Sequence, residues 1–180
     1  MAIKKVIEYA HYLLEQTLTC QDTAVDMTCG NGNDTVLLCE KAKKVYAFDI
    51  QEAAINKTKE KTKEFNNVVV IQDNHENILK YVSEAKGVIF NLGYLPGGDK
   101  MITTQYATTI KALENALSLL QVDGICVIVV YPGHGPGMLE AIELEKYVKE
   151  LNQKEFDCLK YQFINQINYP PYLLAIRRIK

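Results

Sequence analysis

The sequence predicts an α/β fold: a mostly parallel seven-stranded sheet with helices on both faces and an antiparallel strand at its C-terminal end. Three observations predict it. Short, nearly continuous apolar runs alternate with amphipathic stretches along most of the chain. A glycine turn follows the first apolar run and opens a helical pattern. At the end of the chain two strand-like runs meet across a short loop. Parallel neighbours need a long crossover, so that pair must be an antiparallel hairpin.

The elements follow in order. Residues 3–16 place Ile3, Val6, Ile7, Ala10, Leu13 and Leu14 at helical spacing. "TAVDM" (23–27) reads as a strand, "CGNGND" as a turn and "DTVLLCEKA" as a helix. "KVYAFDI" (44–50) is a strand ending in an acid, and residues 52–65 are helical. "NVVVIQ" (67–72) is a β-branched strand, 75–84 a short helix and "GVIFN" (87–91) a strand. Residues 103–120 form a helix with Ile110, Leu113, Leu117 and Leu120 on one stripe. "GICVIVVY" (124–131) is a strand, 137–151 a helix, and "FDCLKYQFIN" (156–165) with "YLLAIRRI" (172–179) the closing hairpin. No linker or repeat interrupts residues 1–180, which read as one domain: an N-terminal helix within 1–20 and a core over 21–180.

Composition narrows the function classes. Hydrophobic residues make up 48% and charged residues 23%, an ordinary globular balance. No run is long enough to span a bilayer and none reads as a signal peptide, so no membrane partner is expected. The five cysteines form no C-x-x-C pair, which suits free thiols in a reducing cytoplasm. The three histidines show no ligand spacing, so no metal site is predicted. Net charge is −2, without the basic footprint common in nucleic-acid binders.

The chemistry begins at "VDMTCGNGNDT" (25–35). Gly30 and Gly32 let the backbone turn sharply and approach a ligand closely. The third glycine of the dinucleotide fingerprint is missing, which argues against a nicotinamide cofactor. Asp49, at the end of the second strand, is placed to accept hydrogen bonds from two ribose hydroxyls. Ile50 and Gln51 would flank a base, with Asp73 and His75 at its edge. Asp34 and Asp73 each precede a helical run, so each is either a helix N-cap or a ligand contact.

The blocks "DMTCGNGNDT", "YAFDIQ", "NHENI", "FNLGYLPGGDK", "YPGHGPG" and "YQFINQINYPPYLLAI" together resemble the bacterial family labelled putative rRNA methylase. The resemblance covers essentially the whole chain. The family has a Rossmann-like, class I methyltransferase fold, and includes a tRNA methyltransferase that turns 5-aminomethyl-2-thiouridine at the wobble position into its 5-methylaminomethyl form. The resemblance therefore implies S-adenosyl-L-methionine as cofactor and tRNA as partner. It implies cofactor contacts from Asp26, Gly30, Asn31, Gly32, Asn33, Asp34, Asp49, Ile50, Gln51, Asp73, Asn74, His75 and Asn91. The chain departs from the family's usual pattern at Thr28-Cys29, Asn33 and Asn74, and none of these changes removes one of the acids.

Asn91 ends the fourth strand, where ligands bind in such sheets, and its amide can accept hydrogen bonds from an amine. Tyr94 can stack on a base, Leu95 and Pro96 extend an apolar wall, and Lys100 can meet acceptor or phosphate. Carbon methylation of a pyrimidine usually needs a cysteine in this loop, and none stands between Cys39 and Cys126, which favours a nitrogen acceptor. Asp99 and His134 are candidates for the general base, and sequence does not choose between them. His11 either reaches over the site or caps the core, and Tyr131 follows the fifth strand. Asn168, Pro170 and Tyr172 of "NYPPY" imitate an acceptor box, but lie in the hairpin loop, so they are expected to wall the substrate pocket. Other readings are methylation of rRNA or of a small-molecule amine, and a non-catalytic cofactor-binding module for an RNA or protein partner. A homodimer would widen the small surface offered to tRNA.

Overall fold

The structure, a computed structural model, describes residues 2–92, 106–133 and 135–180. Helix α1 (Val6–Thr17) leads into β1 (Thr23–Asp26), α2 (Asn33–Lys41), β2 (Lys44–Asp49), α3 (Glu52–Lys61) and β3 (Val68–Gln72). A 3₁₀ turn (His75–Lys80) precedes β4 (Ala85–Asn91). Then come α4 (Tyr106–Leu119), β5 (Leu120–Val130), α5 (Gly135–Glu150), β6 (Phe156–Tyr161) and β7 (Tyr172–Arg178).

The seven strands lie in the order β3-β2-β1-β4-β5-β7-β6. β1 to β5 are parallel, and β7 runs antiparallel to both β5 and β6. The C-terminal ends of β1 to β6 therefore share one edge. Asp26, Asp49 and Asn91 all stand there.

Alternation along β5 shows why its run is so apolar. Val127 and Val129 pack against Val6, Ala10 and Leu14 of α1 and Leu38 of α2. Cys126, Ile128 and Val130 pack on the other face with Leu113 and Leu117 of α4 and Leu144 of α5. Both faces are dry, and each buried aliphatic side chain contributes about 1.5–3 kcal/mol. On α1 the buried stripe leaves His11, next to Ala10, on the rim of the helix.

Several boundaries differ from the periodicity. Leu120 was expected to end α4 but starts β5, paired with Ala85. Regular pairing resumes only at Gly87 with Ile125, so the bulge over residues 121–124 sets the strand start that the apolar run suggested. The helix expected over 75–84 is a 3₁₀ turn that stops at Lys80, and the helix over 52–65 stops at Lys61. β6 ends at Tyr161 rather than Asn165. No helix among the described residues is long and apolar enough to cross a membrane.

Candidate active site

The turn after β1 is built by backbone hydrogen bonds that extend the sheet. Met27 donates its amide to the Ile89 carbonyl (2.8 Å), and Cys29 donates to Phe48 (2.8 Å). Gly32 then caps α2 at φ +77° in the left-handed region. A Cβ there would stand 3.0 Å from the Thr58 Cα on α3, so both the dihedral and the close approach demand glycine. Gly32, not Asp34, is the cap, which corrects the cap reading of Asp34.

Asp49 is fixed across the same turn. Its Oδ2 accepts from the Gly30 amide (3.1 Å) and its Oδ1 from the Gln51 amide (3.0 Å). Ile50 beside it is 55% exposed, an apolar side chain left open at the sheet edge. Asp26 lies beneath the turn, fully buried. It accepts from Thr35 Oγ1 (2.6 Å) and the Thr28 amide (3.2 Å). Burial, and then the Asp34 carboxylate, push its carboxyl far above the usual carboxylate range.

The edge beyond β3 is also braced. Asp73 accepts from the Asn74 amide, Asn77 Nδ2 and Tyr81 Oη, and the Asn77 and Tyr81 bonds hold its carboxyl low. Asn74, not Asp73, caps the 3₁₀ turn by accepting from the Glu76 amide. His75 is buried with Nδ1 3.0 Å from the Met27 carbonyl, so that nitrogen must carry the proton. Burial lowers its pKa, and the neutral ring packs edge-on against Phe90. Asn33 is exposed and accepts from Lys61 of α3. Asn31 sits half-buried between the two glycines.

The structure joins three residues from α1, α2 and β4 that sequence had separated. Asp34 Oδ1 lies 2.6 Å from His11 Nε2, and Asp34 Oδ2 accepts from Asn91 Nδ2 at 3.0 Å. The Asn91 amide N–H goes to Thr28 Oγ1 (2.8 Å). Asn91 is thus held at both backbone and side chain. Its amide carbonyl has no partner among the described residues. Tyr131 stands near the group: burial, and then the Asp34 charge, raise its phenol. Thr35 was not singled out by sequence, and Thr28 only as a departure from the family's usual pattern. Threonines in a turn carry no pattern that names a partner 63 residues away.

The expected substrate wall at "NYPPY" divides. Tyr172 is buried under α5, its Oη 3.4 Å from the Ala141 carbonyl and Lys160 Nζ 4.2 Å from its ring centroid. It starts β7 with its side chain packed against the core, and it also borders the groove that Pro170 lines. Asn168 and Tyr169 take left-handed φ values of 63° and 51°, and Pro170 lines a groove with Ala141, Glu145 and Lys146. Tyr94, Leu95, Pro96, Asp99, Lys100 and His134 lie outside the described residues.

Residues 45–177 match the model of the family described as Putative rRNA methylase. The chain belongs to that family. It is 35% identical over 192 aligned residues to the tRNA (mnm(5)s(2)U34)-methyltransferase, chloroplastic, of Arabidopsis thaliana, covering 97% of this chain and 70% of that one. Among solved structures, the putative rRNA methylase of Clostridium thermocellum superposes with a TM-score of 0.96 at 40% identity, covering 99% and 100% of the two chains. A putative methyltransferase from Streptococcus mutans in complex with SAH gives 0.93 at 45%, covering 98% and 99%.

The protein is an S-adenosylmethionine-dependent methyltransferase of the class I fold. The residues present fit that cofactor: a carboxylate fixed at the end of β2 can accept from ribose hydroxyls, and the exposed Ile50 beside it offers an apolar surface to a base. When bound, the cofactor supplies a methyl group on a sulfonium. Among the described residues no cluster of histidine, cysteine and acidic groups could hold a metal.

Proposed function

We propose that this methyltransferase acts on the aminomethyl nitrogen of a tRNA wobble uridine, converting 5-aminomethyl-2-thiouridine to 5-methylaminomethyl-2-thiouridine. The observation that carries the nitrogen acceptor is the double anchoring of Asn91, with its side-chain N–H spent on Asp34. That fixes the amide and leaves its carbonyl, unpartnered among the described residues, to accept amine hydrogens. A cysteine nucleophile is disfavoured as well. Cys29 and Cys126 are buried, and burial pushes both thiols far up, away from thiolate. The tRNA substrate is supported by the 35% identity to the chloroplastic tRNA methyltransferase.

In this reading Asp49 takes the ribose hydroxyls, Ile50 and Gln51 flank the adenine, and the turn from Gly30 to Asn33 faces the amino-acid part. Asp26 and His75 act from beneath, bracing the turn. Asn91 orients the acceptor, and positioning supplies much of the rate. Tyr94, Leu95, Pro96 and Lys100 would complete the acceptor side. The five free thiols favour a reducing cytoplasm.

The test is transfer of labelled methyl from the cofactor to tRNA that lacks only this last methyl. Incorporation at the wobble nucleoside is expected, and none would sink the tRNA reading. The net charge of −2 favours a second reading, a small-molecule amine substrate. RNase treatment of a labelled extract separates the two.

The chain also carries apolar side chains that a homodimer would cover: Ile164 is 95% and Ile167 81% exposed in the hairpin loop beside edge strand β6. Sedimentation equilibrium of the wild type and of the Ile164→Asp/Ile167→Asp variant tests this. A monomeric wild type removes it.

A further inference from the structure

The pairing of His11 with Asp34 goes beyond a substrate contact. A carboxylate can only accept, so the imidazole nitrogen that faces it, Nε2, must carry a proton. In the neutral ring the other nitrogen, Nδ1, then holds the lone pair. Among the described residues Nδ1 has no hydrogen-bond partner, and the His11 side chain keeps 26% of its surface open. Asp34 itself cannot swing away. Its second oxygen is engaged by Asn91, and it sits in the first turn of α2 just after the left-handed Gly32. The imidazole is thus held in one tautomer, one residue away from the amide that orients the acceptor.

An alkyl amine needs such a group. Its unperturbed pKa resembles that of lysine, about 10.4, so near neutral pH it arrives as an ammonium with no lone pair to give. One proton must leave before it can attack. We propose that His11 Nδ1 is the base that takes this proton, and that Asp34 is the positioning residue that fixes its tautomer. The step moves one proton from the substrate ammonium to Nδ1, and the N–H electron pair stays on the nitrogen as its lone pair. Asn91, through the same carboxylate, registers the acceptor against the base. This deepens, and rests on, the nitrogen-acceptor reading.

Among the described residues, these charged and titratable groups surround His11. Asp34 faces it from α2, with Asp26 behind that carboxylate and Tyr131 at the end of β5. On α1 itself, Glu8 is turned back to the Lys5 amide and Glu15 is 3.4 Å from Lys41.

Two measurements test the proposal. The first needs no turnover: imidazole nitrogen NMR of the SAH-loaded protein, with His11→Gln to assign the signal. His11 should be the Nε2–H tautomer near pH 8, opposite to His75, whose Nδ1 donates to Met27. In Asp34→Asn that preference should be lost or inverted. A His11 ring in the Nδ1–H form, or fully protonated near pH 8, overturns the proposal.

The second is the pH profile of transfer to the amine substrate. His11→Gln should lower kcat by about 10²-fold near neutral pH, the usual size of general-base catalysis. Its rate should then climb about tenfold per pH unit toward the amine's own pKa, while SAH affinity stays within about twofold of wild type. A His11→Gln profile that matches wild type, or a loss confined to SAH binding or folding, assigns His11 to packing and overturns the base role. Absence of transfer by the wild type on every amine tried would instead fail the nitrogen-acceptor reading, while the tautomer result stands on its own.

Discussion

Asp49 and Gly30 stand 19 residues apart in sequence, yet the Asp49 carboxylate accepts the Gly30 amide at 3.1 Å and so ties the end of β2 to the glycine turn after β1. One carboxylate both shapes the turn and stands at its open side. Asp49→Ala should therefore weaken cofactor binding by more than a lost contact alone. Hydrogen bonds to a charged group are worth about 1.5–3 kcal/mol, so SAH affinity should fall about 10- to 100-fold by calorimetry. An unchanged affinity would remove Asp49 from the cofactor site.

Gly32→Ala isolates the backbone half of that turn. At φ +77° an alanine is strained, and its Cβ would press to 3.0 Å of Thr58 Cα and 3.2 Å of Thr58 Oγ1. Left-handed strain costs about 1–3 kcal/mol. The variant should unfold at lower urea by about that amount, with cofactor affinity reduced in parallel. Wild-type stability would mean that α3 yields at no cost.

Glu140 predicts a pH dependence of stability. It is buried on α5, accepts from Thr109 Oγ1 of α4 at 2.7 Å, and burial raises its pKa to about 7 from 4.5. Between those values the folded protein keeps a proton that the unfolded chain has released. Stability from this group is therefore full at acid pH and is lost as pH rises through about 7. Asp26 has the same sign. Glu140→Gln keeps an acceptor for Thr109 without the charge, so its urea midpoint should fall less than that of wild type between about pH 5 and pH 8. Equal slopes in the two proteins would count against a buried, protonated Glu140.

Much of the fold was legible because burial leaves a periodic trace. The run "GICVIVVY" is apolar at every second position on both faces of the sheet, and that alone says covered parallel strand. The closing hairpin followed from a loop too short for a crossover. Periodicity reports that a side chain is buried, not whom it meets. Asp34 read equally as a helix cap or a ligand contact because both use the same residue type, and only the path of α1 brings His11 to it. Leu120 continued a helical stripe, and the sheet claimed it because Ala85 offered a pairing partner. Tyr172 read as part of a hairpin-loop wall, and the sequence did not show that it starts β7 with its ring under α5.

Asn91 offers the sharpest test of acceptor geometry. Its amide is oriented by donation to Asp34 Oδ2, and its backbone by Thr28 Oγ1. Asn91→Asp is nearly isosteric but replaces that donor with a second carboxylate oxygen about 3 Å from the first. Like charges at that distance cannot both ionise, so one of the pair must hold a proton or the two must move apart. Either outcome misplaces the acceptor and disturbs the carboxylate that fixes His11. A misplacement of about 1 Å costs on the order of 10²-fold in rate. Turnover of Asn91→Asp should fall by at least that factor, with SAH affinity largely kept. Asn91→Ala should lose the acceptor contact but add no carboxyl beside Asp34, so its residual rate should keep the wild-type shape of the pH profile while that of Asn91→Asp should not. Identical profiles for the two variants would mean that Asp34 is not coupled to the acceptor through this amide.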